Sequence, residues 1–126
     1  MSTGWKVANI NDIGPVKASW SAGWHSIRHF FGIKGFGINA ASKNAGDQIT
    51  PEHDESRDGQ QEVFIVLEGE AEFTLDGEKV TAGKFDVVFI EPQVRRSAKA
   101  LATPTTVLIV GGTPGKAYKV GNWEKV

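Results

Sequence analysis

The stretch Glu62-Val-Phe-Ile-Val-Leu-Glu-Gly69-Glu-Ala71-Glu-Phe-Thr-Leu-Asp76-Gly77 decides the reading of the fold. Its second half alternates. Ala71, Phe73 and Leu75 share one side of an extended chain, while Glu72, Thr74 and Asp76 share the other, as in a half-exposed strand. Asp76-Gly77 is a pair that suits a two-residue hairpin turn. The first half, Val63 to Leu67, is apolar on both faces. One face of such a strand can line a barrel interior while the other meets a second layer or a second subunit, so a homodimer is expected.

Working outward, further apolar segments of strand length occur at Ile27–Phe31, Phe36–Ala40, Val87–Ile90 and Thr106–Val110. They end at turn residues such as Gly32, Gly35, Gly46, Glu91-Pro92 and Gly111-Gly112. Many short strands at near-regular spacing predict an all-β chain, an antiparallel sandwich or barrel. The best helical stretch is a turn or two in Ile10–Lys17, interrupted by Gly14-Pro15. Ser42–Gln61 is polar and reads as a loop, or as a loop interrupted by one short strand near Gln48–Thr50. Pro114–Val126 carries one large anchor, Trp123, and is expected to lie across the outside.

The chain has 126 residues and suits one domain. We divide it into an N-terminal segment with first strands packed on the barrel (1–39), a barrel core (40–112) and a tail (113–126). Lys+Arg 14 against Asp+Glu 15 leaves a formal charge of -1, so no global field recruits nucleic acid or anionic lipid. With no cysteine there is no disulfide, thiolate metal site or nucleophilic thiol. No apolar run approaches the roughly 20 residues that span a bilayer, and the first residues lack the apolar core of a secretion signal. A cytoplasmic protein is the expectation, without membrane or nucleic-acid partners. Gly32-Ile-Lys-Gly35-Phe-Gly37 precedes no helical pattern, and Gly111-Gly-Thr-Pro-Gly115 lacks the Lys-Ser/Thr of a phosphate loop, so neither points to a nucleotide.

The segment Gly46-Asp-Gln-Ile-Thr-Pro-Glu-His53-Asp-Glu55-Ser-Arg57-Asp-Gly-Gln-Gln-Glu62, running on to Gly69, resembles the first motif of the cupin superfamily. That motif has a glycine, a His-x-His pair, a glutamate, six residues and a second glycine, and Glu62 to Gly69 fits its latter part residue for residue. Gly83-Lys-Phe-Asp-Val-Val-Phe-Ile-Glu-Pro92-Gln-Val-Arg-Arg96 resembles the second motif, a strand, a proline and then a histidine. The likeness spans roughly Ala40 to Val110. It implies an antiparallel β-barrel of the jelly-roll type, a double-stranded β-helix.

In metal-binding cupins, two histidines and the glutamate of the first motif join a histidine of the second around Fe, Mn, Zn or Ni. Aligned without a gap back from Glu62, the histidine positions hold Glu55 and Arg57. With a two-residue insertion at Arg57-Asp58-Gly59 they hold His53 and Glu55. The second-motif histidine falls at Arg96, or at Arg95 if the turn is one residue shorter. A guanidinium has no lone pair to give a metal. Two readings follow. In one, Arg96 or Arg95 points inward and pairs with Glu62 or Glu55, and the pocket binds a small polar or anionic metabolite through His53, Glu55, Glu62 and arginine, with no cofactor required. Aromatic walls would come from Phe64, Phe36 or Phe89. In the other, both arginines face solvent, and His53, Glu55 and Glu62 hold a divalent metal, as in a metal-dependent oxygenase or isomerase. His25 and His29 read as packing residues on an early strand, with His29 a second-rank site candidate. Trp5, Trp20, Trp24 and Trp123 read as anchors for the termini or as filling for a dimer seam.

Overall fold

The computed structural model describes residues 4–16 and 23–124. Among them are nine strands: β1 (Trp24–His25), β2 (Gly37–Lys43), β3 (Gln48–His53), β4 (Gln61–Glu68), β5 (Glu70–Leu75), β6 (Glu78–Gly83), β7 (Val87–Ile90), β8 (Arg96–Ala100) and β9 (Thr105–Gly112). They form two antiparallel sheets, a five-stranded one in the order β1-β2-β9-β4-β7 and a four-stranded one in the order β3-β8-β5-β6. This is the expected all-β jelly roll. The β5–β6 turn has Asp76 at φ 50 and Gly77 at φ 85, the paired positive values that match a tight hairpin to strand twist.

The alternation in the deciding stretch does what its period requires. Phe64 and Val66 point between the sheets and are buried, as are Ala71 and Phe73 from the opposite sheet. The rings of Phe64 and Phe73 meet edge-to-face with centroids 5.3 Å apart. Small residues (Ala41, Ala71, Ala82, Ala98, Ala100) fill the rest of the core with Ile49, Ile90 and Val107. Small side chains bring the two layers close enough to shut one end of the barrel.

Three local expectations are corrected. Ile27–Phe31 is not a strand but a short helix, α1. Gly32, left-handed at φ 69, caps it and donates to the carbonyls of Arg28 and His29. Ile27 and Phe31, one turn apart, pack on Ala40 and Leu108 of the outer sheet face. The helical turn near Ile10 shrinks to a 3₁₀ turn at Ile10–Asp12, and Lys17 lies outside the described residues, as does Trp20. The tail does not run over the outside. Tyr118 to Gly121 and Trp123 line the barrel cavity, and Glu124 is buried against Arg28 of α1 at 2.8 Å. No helix among the described residues is long and apolar enough to cross a membrane.

Candidate functional site

The register of the five-stranded sheet explains why a cavity exists. Reading inward-facing residues across β2, β9 and β4, one row is Ala41–Val107–Val66, all fully buried core. The next is Asn39–Ile109–Phe64, and the third is Gly37–Gly111–Glu62. Side-chain volume disappears at the third row because β2 and β9 each contribute a glycine there, Gly111 next to Glu62 and Gly37 beyond it. A Cβ at Gly111 would sit 2.9 Å from Gln60 Oε1 and 3.3 Å from Glu62 Cγ, while one at Gly37 would sit 2.7 Å from the Tyr118 hydroxyl. The glycines therefore allow Glu62 and Tyr118 to approach the sheet. The result is a cavity of about 670 Å³. Phe64, Ile109 and Ile49 form its apolar depth, Trp24, Tyr118 and Trp123 its aromatic walls, and Lys43, Arg57 and Lys119 add cations.

Glu62 opens β4 on the inner face and meets Arg96, which β8 presents inward from the opposite sheet. Arg96 Nη1 donates to Glu62 Oε1 at 2.5 Å. Arg96 is fully buried, and its remaining contacts are backbone carbonyls: Nη2 donates to Glu91 at 2.8 Å and Val94 at 2.9 Å, and Nε donates to Val94 at 3.2 Å. It lies behind Glu62 and is not part of the cavity lining. Burial, with Glu55 nearby, raises the Glu62 carboxyl above the ordinary carboxylate range, against the pull of Arg96 and His53.

His53 ends β3, and its two ring nitrogens have different partners. Nδ1 lies 2.7 Å from the Pro51 carbonyl, which can only accept, so Nδ1 carries a proton. Nε2 lies 2.8 Å from Glu55 Oε2, a contact that needs a second shared proton. The hydrogen bond to Glu55 accordingly raises the His53 pKa, with burial opposing. One donor atom each from His53, Glu55 and Glu62 lies within 4.8 Å of the other two.

This donor set fits a divalent cation. The Pro51 carbonyl orients the ring and leaves Nε2 as the ligand atom, the arrangement seen where imidazoles bind metals. Arg96 holds Glu62 Oε1, so the other carboxylate oxygen is the one an ion would use.

The structure brings together His53, Glu55, Glu62 and Phe64 in one cavity, with Arg96 behind them. Arg95 stands apart, half exposed on the outside, with Nη2 3.2 Å from Glu52 and Nη1 3.9 Å from Asp54. Phe36 and Phe89 were expected as walls, but both are exposed and neither lines the cavity. His29 is exposed on α1, and His25 ties Ile13 to Ser42 through its two nitrogens at 2.8 and 3.1 Å. Tyr118 and Lys119 were missed, although Tyr118 is the chain's single tyrosine. Trp24 and Trp123 are the tryptophans that reach the site, edge-to-face with ring centroids 5.8 Å apart.

A two-sheet jelly roll with an imidazole–carboxylate cluster at its open end defines a class of barrel proteins. The cupin domain model matches residues 44–111, and the chain belongs to that family. Among solved structures it is similar to a cupin protein from Bacteroides fragilis, at 20% identity and TM-score 0.66, covering 91% of this chain and 96% of that one. It is also similar to an RmlC-like cupin from Desulfovibrio desulfuricans, at 26% identity and TM-score 0.55, covering 62% of this chain and 72% of that one. KdgF from Halomonas sp. aligns at 19% identity and TM-score 0.56 over 61% of this chain and 67% of its own. No curated protein matches the sequence.

Proposed function

We infer that this cupin binds a small polar metabolite bearing an acidic group inside its barrel. The supporting observation is that one imidazole and two carboxylates converge on a cavity of about 670 Å³ that also holds aromatic walls and three cations. That volume falls within the roughly 300–1,000 Å³ of ordinary ligand pockets. Lys43, Arg57 and Lys119 suit the acidic group, while Glu55 and Glu62 accept from hydroxyls and Trp24 or Phe64 covers an apolar face. Arg96 acts indirectly, by fixing Glu62.

The test is a thermal-shift screen of small hydroxy acids and sugar acids against wild type, His53→Ala and an Arg57→Ala/Lys119→Ala double variant. A ligand at a hundred times its Kd stabilises by about 2.7 kcal/mol. An upward shift in wild type, lost in both variants, is expected. A flat wild-type response across the screen, or equal shifts in all three proteins, would refute the reading.

The spacing of the His53, Glu55 and Glu62 donor atoms favours a second reading, a bound Fe, Mn, Zn or Ni ion. Such an ion would supply Lewis acidity with coordination positions left for substrate, as an oxygenase or isomerase requires. His53 and Glu55 would then hold the ion, and Glu62 would be shared between it and Arg96. Elemental analysis after metal loading decides: a stoichiometric ion lost in His53→Ala supports this reading, and no ion at saturation ends it.

A further inference from the structure

The row just inside Glu62 carries a polar group that the protein leaves unmatched. Asn39, on β2, shares that row with Ile109 and Phe64, and it lines the cavity while only 5% exposed. Its amide oxygen is enclosed and meets no hydrogen-bond donor among the described residues. One row further in, Ala41, Val107 and Val66 are fully buried core, so Asn39 stands at the apolar base of this wall. An unpaired amide oxygen in such surroundings costs free energy that a leucine of similar volume would avoid. Packing alone therefore does not account for the amide. The torsion that turns an asparagine amide is soft, so either of its polar atoms can be brought to the cavity wall.

We propose that Asn39 is a specificity residue that receives a hydroxyl group at the inner end of the bound metabolite. The proposal rests on the cavity reading above and narrows it to polyhydroxylated acids bound with the carboxylate outward. A hydroxyl donates and accepts in one group, so it answers the amide whichever atom faces it. No charged residue shares the row, so a carboxylate or an ammonium there would lose its hydration without gaining an opposite charge. Two of the three cations of the cavity lie on the outer side of Asn39. Arg57 is in the loop that leads into β4 ahead of Glu62, and Lys119 follows Tyr118, whose hydroxyl packs at Gly37 in the Glu62 row. The third, Lys43, is separated from Asn39 by the Ala41 row. Successive inward rows are roughly 7 Å apart along the strands, and Asn39 is two strands from Glu62, roughly 10 Å across the sheet. From the outer cations a short hydroxy acid does not reach Asn39, whereas a sugar-acid chain does.

Calorimetric titration of acid pairs that differ in the terminal hydroxyl alone tests this, with wild type and Asn39→Leu. The pairs are L-galactonate with L-fuconate, L-mannonate with L-rhamnonate, and D-gluconate with its terminal-deoxy analogue. Wild type is expected to bind the hydroxylated member of a pair about tenfold more tightly. Asn39→Leu should lose or reverse that preference and bind the deoxy member at least as well as wild type does. Without ligand, its urea midpoint should equal or exceed that of wild type, because an unmatched polar group has left apolar surroundings. Equal affinities within every pair, a preference that survives Asn39→Leu, or a lower urea midpoint for the variant would overturn the proposal and leave the cavity reading intact. So would binding of short hydroxy acids with no binding of these pairs. No binding of any acid to wild type would end both readings.

Discussion

The guanidinium of Arg96 on β8 and the carboxylate of Glu62 on β4 join the two sheets at the open end of the barrel, 2.5 Å apart. Where metal-binding cupins place a histidine, this chain places a cation whose other donors hold the turn from Glu91 to Val94. The pair thus fixes a site residue and a loop together.

Removing only the cation should be costly. Arg96→Met leaves the Glu62 carboxyl enclosed without its partner and the Glu91 and Val94 carbonyls without their donor. Breaking a buried pair in this way costs about 3–5 kcal/mol, and replacing both members by apolar residues recovers much of it. Urea unfolding of Arg96→Met and of Glu62→Leu/Arg96→Met checks this. A single variant within 1 kcal/mol of wild type, on the order of an exposed pair, would contradict the clamp.

His53 gives the fold a definite pH dependence. Its pKa is raised above 6.5 in the folded chain by Glu55, so the folded state binds its proton more tightly than the unfolded state. That contribution is complete below 6.5 and is lost as pH rises through the folded value. Glu62, raised above 4.5, acts with the same sign in a lower window. The stability difference between wild type and His53→Gln should therefore shrink on going from mildly acid to mildly alkaline pH. A ring-proton titration should place His53 above 6.5. A midpoint below that value would show that the Glu55 contact does not persist in solution.

The fold was legible where burial alternates with large apolar residues, as in Phe64, Val66, Ala71 and Phe73. It was harder to read where small or polar residues alternate. In β8 the inward residues are Arg96, Ala98 and Ala100, and β6 is exposed along most of its length, so neither bears the Val/Ile/Phe mark of a strand. Ile27–Phe31 misled because five apolar-rich residues fit a strand or a helical turn equally, and the Gly32 cap and packing on Ala40 decide between them. Of the site, the motif located His53, Glu55, Glu62 and Arg96. Tyr118 and Trp123 lie beyond both motif segments, in a tail with no periodicity, and only tertiary packing brings them in.

The glycine beside Glu62 should resist substitution for steric reasons. Gly111→Ala puts a methyl group 2.9 Å from Gln60 Oε1 and 3.3 Å from Glu62 Cγ, and both side chains must shift. The Gln60 amide is the end of a flexible side chain and can swing away, so the cost is about 1 kcal/mol, the low end for overpacking, and falls on the displaced Glu62. The variant should also lose the ligand-induced or metal-induced stabilisation of wild type, which thermal shift would report. Full retention of that response would mean that the row tolerates volume and does not shape the cavity.

Tyr118 reports whether the tail is closed on the barrel. Its hydroxyl packs over Gly37, and burial together with nearby Glu124 raises its pKa to about 12. The tail is held by Glu124, which is buried against Arg28 at 2.8 Å, and by Trp123 against Trp24. Glu124→Ala removes the carboxylate partner of Arg28, which keeps its bond to the Ile33 carbonyl, and should free the tail locally while the buried core between the two sheets stays folded. Because the chain has a single tyrosine, an alkaline ultraviolet titration reads this residue alone. Wild type should titrate near 12 and Glu124→Ala near the ordinary value of 10.0. Amide exchange across residues 118–124 should rise in parallel, with the β4 and β9 amides unchanged. Identical titrations in the two proteins would show that the tail holds its place over the cavity without the Arg28–Glu124 pair.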